Sequence, residues 1–176
     1  INGGANDTMA PLLACTENNQ CVTPLKLLLD NGADIHQSDA TGTTPFLSAC
    51  AKGNYETVEF LLGRGAIISG VNIYGEGPLY MAASAGSIEV LNLLLDHGAE
   101  ITAVTPSGKG AIHAAARMGH VDVFEKLVDR GVAVNLPSNS GETPLSLALD
   151  EGRWDLVMAA TRKGAVMHPA LVNKLT

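Results

Sequence analysis

The sequence predicts an all-α solenoid, and three observations support this fold class: a fixed repeat period, glycines at constant offsets, and paired apolar stretches. When the chain is shifted by 33 residues, the segments that begin at Gly42, Gly75, Gly108 and Gly141 fall on one another. Each segment contains two short apolar stretches, each followed by a glycine. One such segment cannot bury its own apolar face, so we expect neighbouring segments to stack and share a continuous core.

The first apolar stretch of each segment, which we name the inner helix, has the signals of a short helix with small side chains. Thr44 and Thr143 are suited to cap a helix N-terminus, and a proline follows each of them at the first helical position. Alanines and Cys50 fill the middle of these helices, which allows neighbouring inner helices to approach closely. Gly53 and its equivalents in the other segments are suited to the left-handed conformation that ends a helix.

The second stretch, which we name the outer helix, supplies most of the apolar volume. It carries leucine, valine and phenylalanine at helical spacing, and we expect Leu94 in the third outer helix to be buried. Near the start of each outer helix, where an acid complements the helix dipole, stand Glu56, Glu89, Asp122 and Asp155. Because these carboxylates recur with the scaffold, they argue against a paired-carboxylate active site.

These segments resemble the ankyrin repeat, whose unit of about 33 residues carries the pattern T-P-L-H-x-A. The matching stretches read GTTPFLSACAKG, GEGPLYMAASAG, GKGAIHAAARMG and GETPLSLALDEG. The resemblance covers essentially the whole chain and implies stacked pairs of antiparallel helices joined by hairpin loops. It implies repeats at about 5–38, 39–71, 72–104, 105–137 and 138–170, with residues 1–4 as the tail of a preceding repeat and 171–176 as a C-terminal cap or the start of a further repeat.

Two histidines and one dipeptide in these repeats carry more specific expectations. His113 stands in the histidine position of the pattern, and the resemblance implies that its ring makes local hydrogen bonds. His120 follows a helix-ending glycine, where the resemblance also implies a structural role. Gly110-Ala111 stands where threonine and proline are usual, so the fourth repeat lacks both the capping hydroxyl and the preset first turn. We therefore expect the inner helix of the fourth repeat to be weak at its start.

The composition argues against several classes of partner. The 176 residues include 11 basic and 18 acidic side chains, for a net charge of −7, and they form no basic cluster. Binding to phosphates needs clustered lysine and arginine, so we expect no nucleic-acid partner. No apolar run approaches the roughly 20 residues of a membrane span, so we expect no direct membrane insertion. Cys15, Cys21 and Cys50 form no paired disulfide framework, which predicts an intracellular protein of the cytoplasm or nucleus.

The sequence contains no constellation of residues typical of an enzyme. Cys15 and Cys50 replace small inner-helix alanines, which predicts buried thiols rather than nucleophiles. The histidines have no cysteine or carboxylate at zinc-binding spacing. We therefore expect no catalytic activity, no cofactor and no metal site.

The resemblance implies that a partner binds the concave face, which the hairpin tips and the C-terminal ends of the inner helices form. Two groups of residues at these places are candidates for partner binding. The apolar group is Val71, Ile73, Tyr74, Val104 and Met118. The charged group is Lys52, Arg117, Glu142, Asp150 and Glu151. An exposed apolar cluster marks an interaction site more often than scattered residues do, although neighbouring tips could instead shield one another and leave only Tyr74 exposed.

The sequence thus predicts a non-catalytic module that recognises a peptide or a loop of a partner protein on its concave face. The array is expected to be a monomeric part of a longer polypeptide. Two alternatives remain open: a targeting or autoinhibitory region of a larger enzyme or channel, and an effector that a bacterium or virus directs at host proteins. The fold does not distinguish them, because function lies in the sites that a fold carries.

Overall fold

The computed structural model describes residues 12–14 and 22–166, which form short helices joined by loops. Residues 12–14 are helical, and nine further helices follow within the described ranges. They are α1 (Val22–Asp30), α2 (Pro45–Lys52), α3 (Tyr55–Gly63), α4 (Pro78–Ala85), α5 (Ile88–Asp96), α6 (Ala111–Met118), α7 (Val121–Asp129), α8 (Pro144–Asp150) and α9 (Trp154–Arg162). Segments 1–4 and 171–176, Cys15 and Cys21 lie outside the described residues, so the expectations for them stay predictions.

The helices form two layers. The inner helices α2, α4, α6 and α8 pack side by side in chain order, and the outer helices α1, α3, α5, α7 and α9 form the second layer. One apolar core runs between the layers, from Leu12 beside α1 to Leu156 in α9. This arrangement confirms the predicted all-α solenoid of stacked helix pairs. We keep the repeat boundaries proposed from the sequence, so that α4 and α5 belong to the third repeat and α6 and α7 to the fourth.

Small side chains set the spacing of the inner helices. Ala82 and Ala83 of α4, and Ala115 and Ala116 of α6, are fully buried, and α4 and α6 make the most extensive contact between described helices. Cys50 is fully buried in α2, and burial raises the pKa of its thiol. A thiol that is both neutral and inaccessible acts as a packing group, as the sequence predicts.

The helix ends have the predicted caps. The hydroxyl of Thr44 accepts a hydrogen bond from the backbone N–H of Leu47 at 3.2 Å, and Thr143 caps α8 in the same way. Gly53 ends α2 at a φ of 67°, in the left-handed region that favours glycine. The sequence signals at both ends of these helices therefore correspond to hydrogen bonds and backbone angles in the folded chain.

The start of α6 is held by a histidine instead of a hydroxyl. Nδ1 of His113 accepts a hydrogen bond from the backbone N–H of Gly110 at 3.1 Å, and Nε2 lies 2.9 Å from the carbonyl oxygen of Leu136. His113 is fully buried, and this burial holds the pKa of its ring below the ordinary value. The ring reaches back to the cap residue, but no side chain at the cap accepts from the first turn of α6. His113 therefore offsets part of the expected weakness of this helix start.

Restoring the usual residues with Gly110→Thr and Ala111→Pro should raise the free energy of unfolding by about 1 kcal/mol or somewhat more. The new hydroxyl would cap α6, and the φ of −97° at Gly110 is accessible to any residue. An added Cβ would lie 3.3 Å from the carbonyl oxygen of Ala103, so a small shift is needed. Urea titration measures the change, with Gly110→Ala as the control that adds a Cβ without the hydroxyl. No gain over that control would show that His113 already supplies the whole cap.

Candidate protein-interaction surface

Each hairpin tip is built around one polar side chain. These residues recur every 33 positions and are Asp39, Asn72, Thr105 and Ser138. Oδ1 of Asn72 accepts hydrogen bonds from the backbone N–H groups of Tyr74 and Glu76 at 3.0 and 2.9 Å. The Thr41 hydroxyl donates to the Asp39 carboxylate at 2.6 Å, and this bond holds the pKa of that carboxyl below its ordinary value. The tips are therefore ordered turns, and each turn holds in place the residues that come after its polar residue in the chain.

Neighbouring tips are also bonded to each other, with one exception. The backbone N–H of Ile73 donates to the carbonyl oxygen of Thr41 at 2.9 Å, and a bond of the same kind joins the fourth and fifth tips. Between the third and fourth tips the equivalent donor would be Pro106, which has no N–H. Its ring packs on Gly75 instead, where an added Cβ would overlap Cδ of the proline. The third tip therefore contacts the fourth through a ring rather than through a backbone bond.

The predicted apolar residues of the tips are exposed. The exposed fractions of Val71, Ile73, Tyr74 and Val104 are 56%, 64%, 60% and 52%, and that of Met118 at the end of α6 is 39%. The alternative in which the tips cover one another and only Tyr74 is exposed is therefore wrong. We name Val71, Ile73, Tyr74 and Val104 the tip surface. Their exposure is established, and their role in binding stays a prediction.

The predicted charged residues have different surroundings. Lys52, Arg117, Asp150 and Glu151 are exposed, whereas Glu142 is half-buried. The Glu142 carboxylate lies 2.9 Å from Nζ of Lys109 and accepts a hydrogen bond from the Ser140 hydroxyl at 2.6 Å. These partners, Ser140 foremost, hold the pKa of Glu142 below its ordinary value. Its charge is therefore largely compensated within the protein, which weakens the expectation that it attracts a partner.

Lys109 is a residue that the sequence interpretation did not include. It stands 33 positions before Glu142 and 33 positions after Glu76, so the three residues form one row of alternating charge along the repeats. Reading that position down the repeats would have shown the alternation. Within this row Lys109 and Glu142 are paired with each other, so their charges are less available to a ligand near the tip surface.

The ends of the inner helices are bridged by residues of the following repeat. Nε2 of His120 lies 3.0 Å from the carbonyl oxygen of Ser84, which confirms a structural role for this histidine. In the next pair of repeats, Nε of Arg153 donates to the carbonyl oxygen of Arg117 at 3.2 Å. Both side chains lie against the glycine that ends the preceding inner helix. These contacts fix the relative position of the repeats that carry the candidate residues.

A pocket of about 350 Å³ opens between the third and fourth repeats, beside the tip surface. Val71 and Val104 both line it, so the folded chain brings these two predicted residues to one site. Tyr80 and Lys109 also line it, and neither was predicted as a site residue. Ile73, Tyr74 and Met118 do not line the pocket. Tyr80 stands where His113 stands one repeat later, and that departure from the repeat pattern is a signal that could have identified it.

Within residues 12–14 and 22–166, no group of three or more histidine, cysteine, aspartate or glutamate side chains is placed to hold a metal ion. No helix in the same ranges is long and apolar enough to cross a membrane.

Two family models match this chain. The model described as ankyrin repeats, in three copies, matches residues 12–105, and the model described as an ankyrin repeat matches residues 107–139. The fold therefore defines a stacked-repeat protein, and the chain belongs to the ankyrin-repeat family. Ankyrin repeats are generally modules of protein–protein interaction. No curated protein matches the chain.

Proposed function

We propose that this chain is a non-catalytic recognition module that binds a peptide or a loop of a protein on its concave face. The observation that carries the proposal is the tip surface, where large apolar side chains are exposed on two neighbouring turns, each ordered by hydrogen bonds of its own. Folding does not require them, because the second tip carries Ser38, Ala40 and Thr41 at the positions of Val71, Ile73 and Tyr74. Apolar side chains exposed together without a structural need are typical of an interaction site.

Rigid tips favour tight binding to a ligand. The turn around Asn72 holds Ile73 and Tyr74 in place before a partner arrives, so little conformational entropy is lost on binding. Aromatic residues such as Tyr74 bury a large area and often dominate the energy of an interface. Met118 adds an adaptable apolar contact at the end of α6. We therefore expect an aliphatic or aromatic side chain of the ligand to contact the third and fourth repeats.

Charge along the inner-helix ends would orient the ligand. Lys52 and Arg117 precede the acidic residues Asp150 and Glu151 along the array. A lysine or arginine of the ligand would therefore lie over the fifth repeat, where these exposed carboxylates favour it. Glu142 contributes less, because Lys109 already compensates its charge. The bound segment can belong to another protein or to the same polypeptide, in the cytoplasm or nucleus.

Peptides selected from a displayed library of random dodecapeptides provide a direct test. Tyr74→Ala and Met118→Glu should each weaken the binding of the selected peptides by about 2 kcal/mol, the magnitude of a binding hot spot. Fluorescence anisotropy measures the affinity of each synthesised peptide. Ile67→Ala is the matched control, since Ile67 is also exposed, at 57%, but lies outside the hairpin tips.

The charge arm of the same experiment uses Glu151→Lys. This change should mainly slow association and reduce its dependence on salt, because exposed charges act on the rate of encounter more than on the bound state. Unchanged affinity in both the Tyr74 and Met118 variants would contradict the proposed face. Trp154 and Met158 of α9, which are 58% and 65% exposed, would then be the next apolar surface to test.

A further inference from the structure

The third residue of the inner helix differs from repeat to repeat. It is Leu47, Tyr80, His113 and Ser146 in the second to fifth repeats. Histidine is the side chain whose ordinary charge change falls near neutral pH. In the fifth repeat the Ser146 hydroxyl makes the equivalent contact without a charge, since it accepts a hydrogen bond from the backbone N–H of Thr143 at 2.9 Å. Of these four helices, α6 is therefore the one whose start depends on a group that titrates near neutral pH.

The two hydrogen bonds of the His113 ring determine which nitrogen carries its proton. The backbone N–H of Gly110 can only donate, so Nδ1 of His113 accepts this bond at 3.1 Å and carries no proton. The proton of the neutral ring is therefore on Nε2, which donates to the carbonyl oxygen of Leu136 at 2.9 Å. A second proton would go to Nδ1, where it would face the N–H of Gly110 and break that bond. The folded chain thus fits only the neutral ring.

The surroundings of the ring also favour its neutral form. Burial holds the pKa of His113 below its ordinary value, and the backbone carbonyls of Leu136 and Glu142 offset this effect only in part. Two charged side chains act on the ring and oppose each other, namely Lys109 in the loop before α6 and Glu142 in the loop before α8. These two are paired at 2.9 Å. The helices α4 and α7, which also pack on α6, bring no further charge to the ring within the described part of the chain.

The ring connects the fourth repeat to the fifth. Leu136 lies in the loop between α7 and α8, so the bond from Nε2 ties the start of α6 to the segment that leads into the fifth repeat. The fifth repeat carries the exposed side chains of Asp150 and Glu151. In a stacked array each repeat contacts only its neighbours, so one junction can open while the others stay closed.

We propose that the junction between the fourth and fifth repeats is an acid-sensitive hinge, which opens when His113 gains a second proton and thereby releases the fifth repeat. His113 has no exposed surface, so a charged ring must leave its place or push the loop away from α6. Either change breaks the bond to Leu136. A ligand that spans both repeats would then lose its contacts with Asp150 and Glu151 in mild acid, a consequence that rests on the proposed function.

The pH range of the opening follows from the two states of the ring. In the open junction the ring is solvated and binds a proton with the ordinary histidine pKa of about 6.5, whereas in the closed junction its pKa is lower. The closed form is therefore fully stabilised above about pH 6.5 and loses stability as the pH falls from there towards the pKa of the buried ring. The pKa of Glu142 is also held below its ordinary value, so its pair with Lys109 remains intact where His113 begins to titrate.

Amide hydrogen exchange of the whole chain, resolved by residue with NMR between about pH 7.5 and about pH 5, tests the hinge without any ligand. After correction for the intrinsic exchange rates, the opening constant of the amides in α8 and α9 should rise about tenfold for each unit that the pH falls below about 6.5, which is the slope of one bound proton. The amides of α2 to α5 should show no such rise. Nitrogen chemical shifts of the His113 ring over the same range give its tautomer and its pKa directly.

His113→Gln is the matched control for the exchange experiment. Glutamine is a usual residue at this position of a capping box, where its side chain bonds to the N–H of the cap residue, and it does not titrate. Gly110→Thr with His113→Ser is a second control, because it copies the pair Thr143 and Ser146 from the fifth repeat. Both controls should lose the acid response of α8 and α9. His97→Gln, which removes an exposed histidine at the end of α5, should keep it.

Three results would overturn the hinge. The first is an opening constant of α8 and α9 that does not change with pH, and the second is the same acid response in His113→Gln as in the wild type. The third is an equal acceleration of exchange in all the described helices, which would show unfolding of the whole array instead of one junction. The ring shifts of the wild type need no variant, and a His113 that titrates at its ordinary pKa would contradict the proposal by itself. Because no ligand is present, none of these results depends on the proposed function.

Discussion

Replacing Leu94 with alanine is expected to lower the free energy of unfolding by about 2–5 kcal/mol. Leu94 lies in α5, has no exposed surface, and belongs to the apolar core that runs through the stacked repeats. The shorter side chain would lose burial energy and leave a cavity, because the packed helices around it can close the space only in part. The loss would also weaken the contact between repeats, since one repeat cannot bury its outer helix alone.

Leu27→Ala is the matched control for this prediction. Leu27 lies on the outer helix α1 and is 64% exposed, so the same deletion removes little buried surface. Its effect should stay within about 0.5 kcal/mol. Urea titration followed by circular dichroism measures both variants. A cost below about 1 kcal/mol for Leu94→Ala would mean that the core does not run through α5 as described.

The helices and their ends could be predicted because their signals are local and recur in each repeat. The Thr44 hydroxyl and the N–H group it caps are separated by three positions in the chain. Gly53 ends its helix for a reason that needs no tertiary contact, namely the freedom of glycine at positive φ. Because the same signals return 33 residues later, each repeat supports the helix positions that the other repeats indicate. Such agreement between local and repeat-level patterns is typical of a sequence that specifies one fold.

The candidate surface could be predicted only in part. Exposure of Ile73 and Tyr74 follows from their position in the tip, immediately after the polar residue that holds the turn. Contacts between side chains of different repeats cannot be predicted from a position in the tip. The sequence offers Glu142 as a charge for a ligand, whereas the folded chain pairs it with Lys109 of the preceding repeat. That contact depends on the rotation and shift between repeats, which core packing sets.

The pocket beside the tip surface could not be predicted from a motif, because its lining includes two departures from the repeat pattern. Gly77 stands at the threonine position of the repeat pattern, and Tyr80 stands at the histidine position. Neither substitution predicts a cavity by itself. The space becomes a pocket only when Val104 and the rest of the next loop close its other side. Comparing the repeats position by position identifies such departures, and the three-dimensional arrangement decides which of them meet.

Gly86→Ala is expected to lower the free energy of unfolding by about 3 kcal/mol or more, for two reasons that add. Gly86 ends α4 at a φ of 75°, where an L side chain costs about 1–2 kcal/mol. An alanine Cβ would also lie 2.5 Å from Nδ1 and 2.6 Å from Cε1 of His120, which belongs to the next repeat. The ring is held in place, because its Nε2 lies 3.0 Å from the carbonyl oxygen of Ser84. The substitution should therefore push the third and fourth repeats apart.

Two comparisons separate the backbone strain from the overlap with His120. Gly152 has the equivalent position in the fifth repeat, with a φ of 65° and nothing within 4 Å of an added Cβ, so Gly152→Ala should cost only the strain of about 1–2 kcal/mol. In a His120→Ala background the ring is absent, and Gly86→Ala should then cost no more than Gly152→Ala. Urea titration of the four variants gives the coupling energy between positions 86 and 120. Equal costs of Gly86→Ala with and without the ring would show that His120 does not obstruct a side chain at Gly86, and that the glycine is needed there for its backbone angle alone.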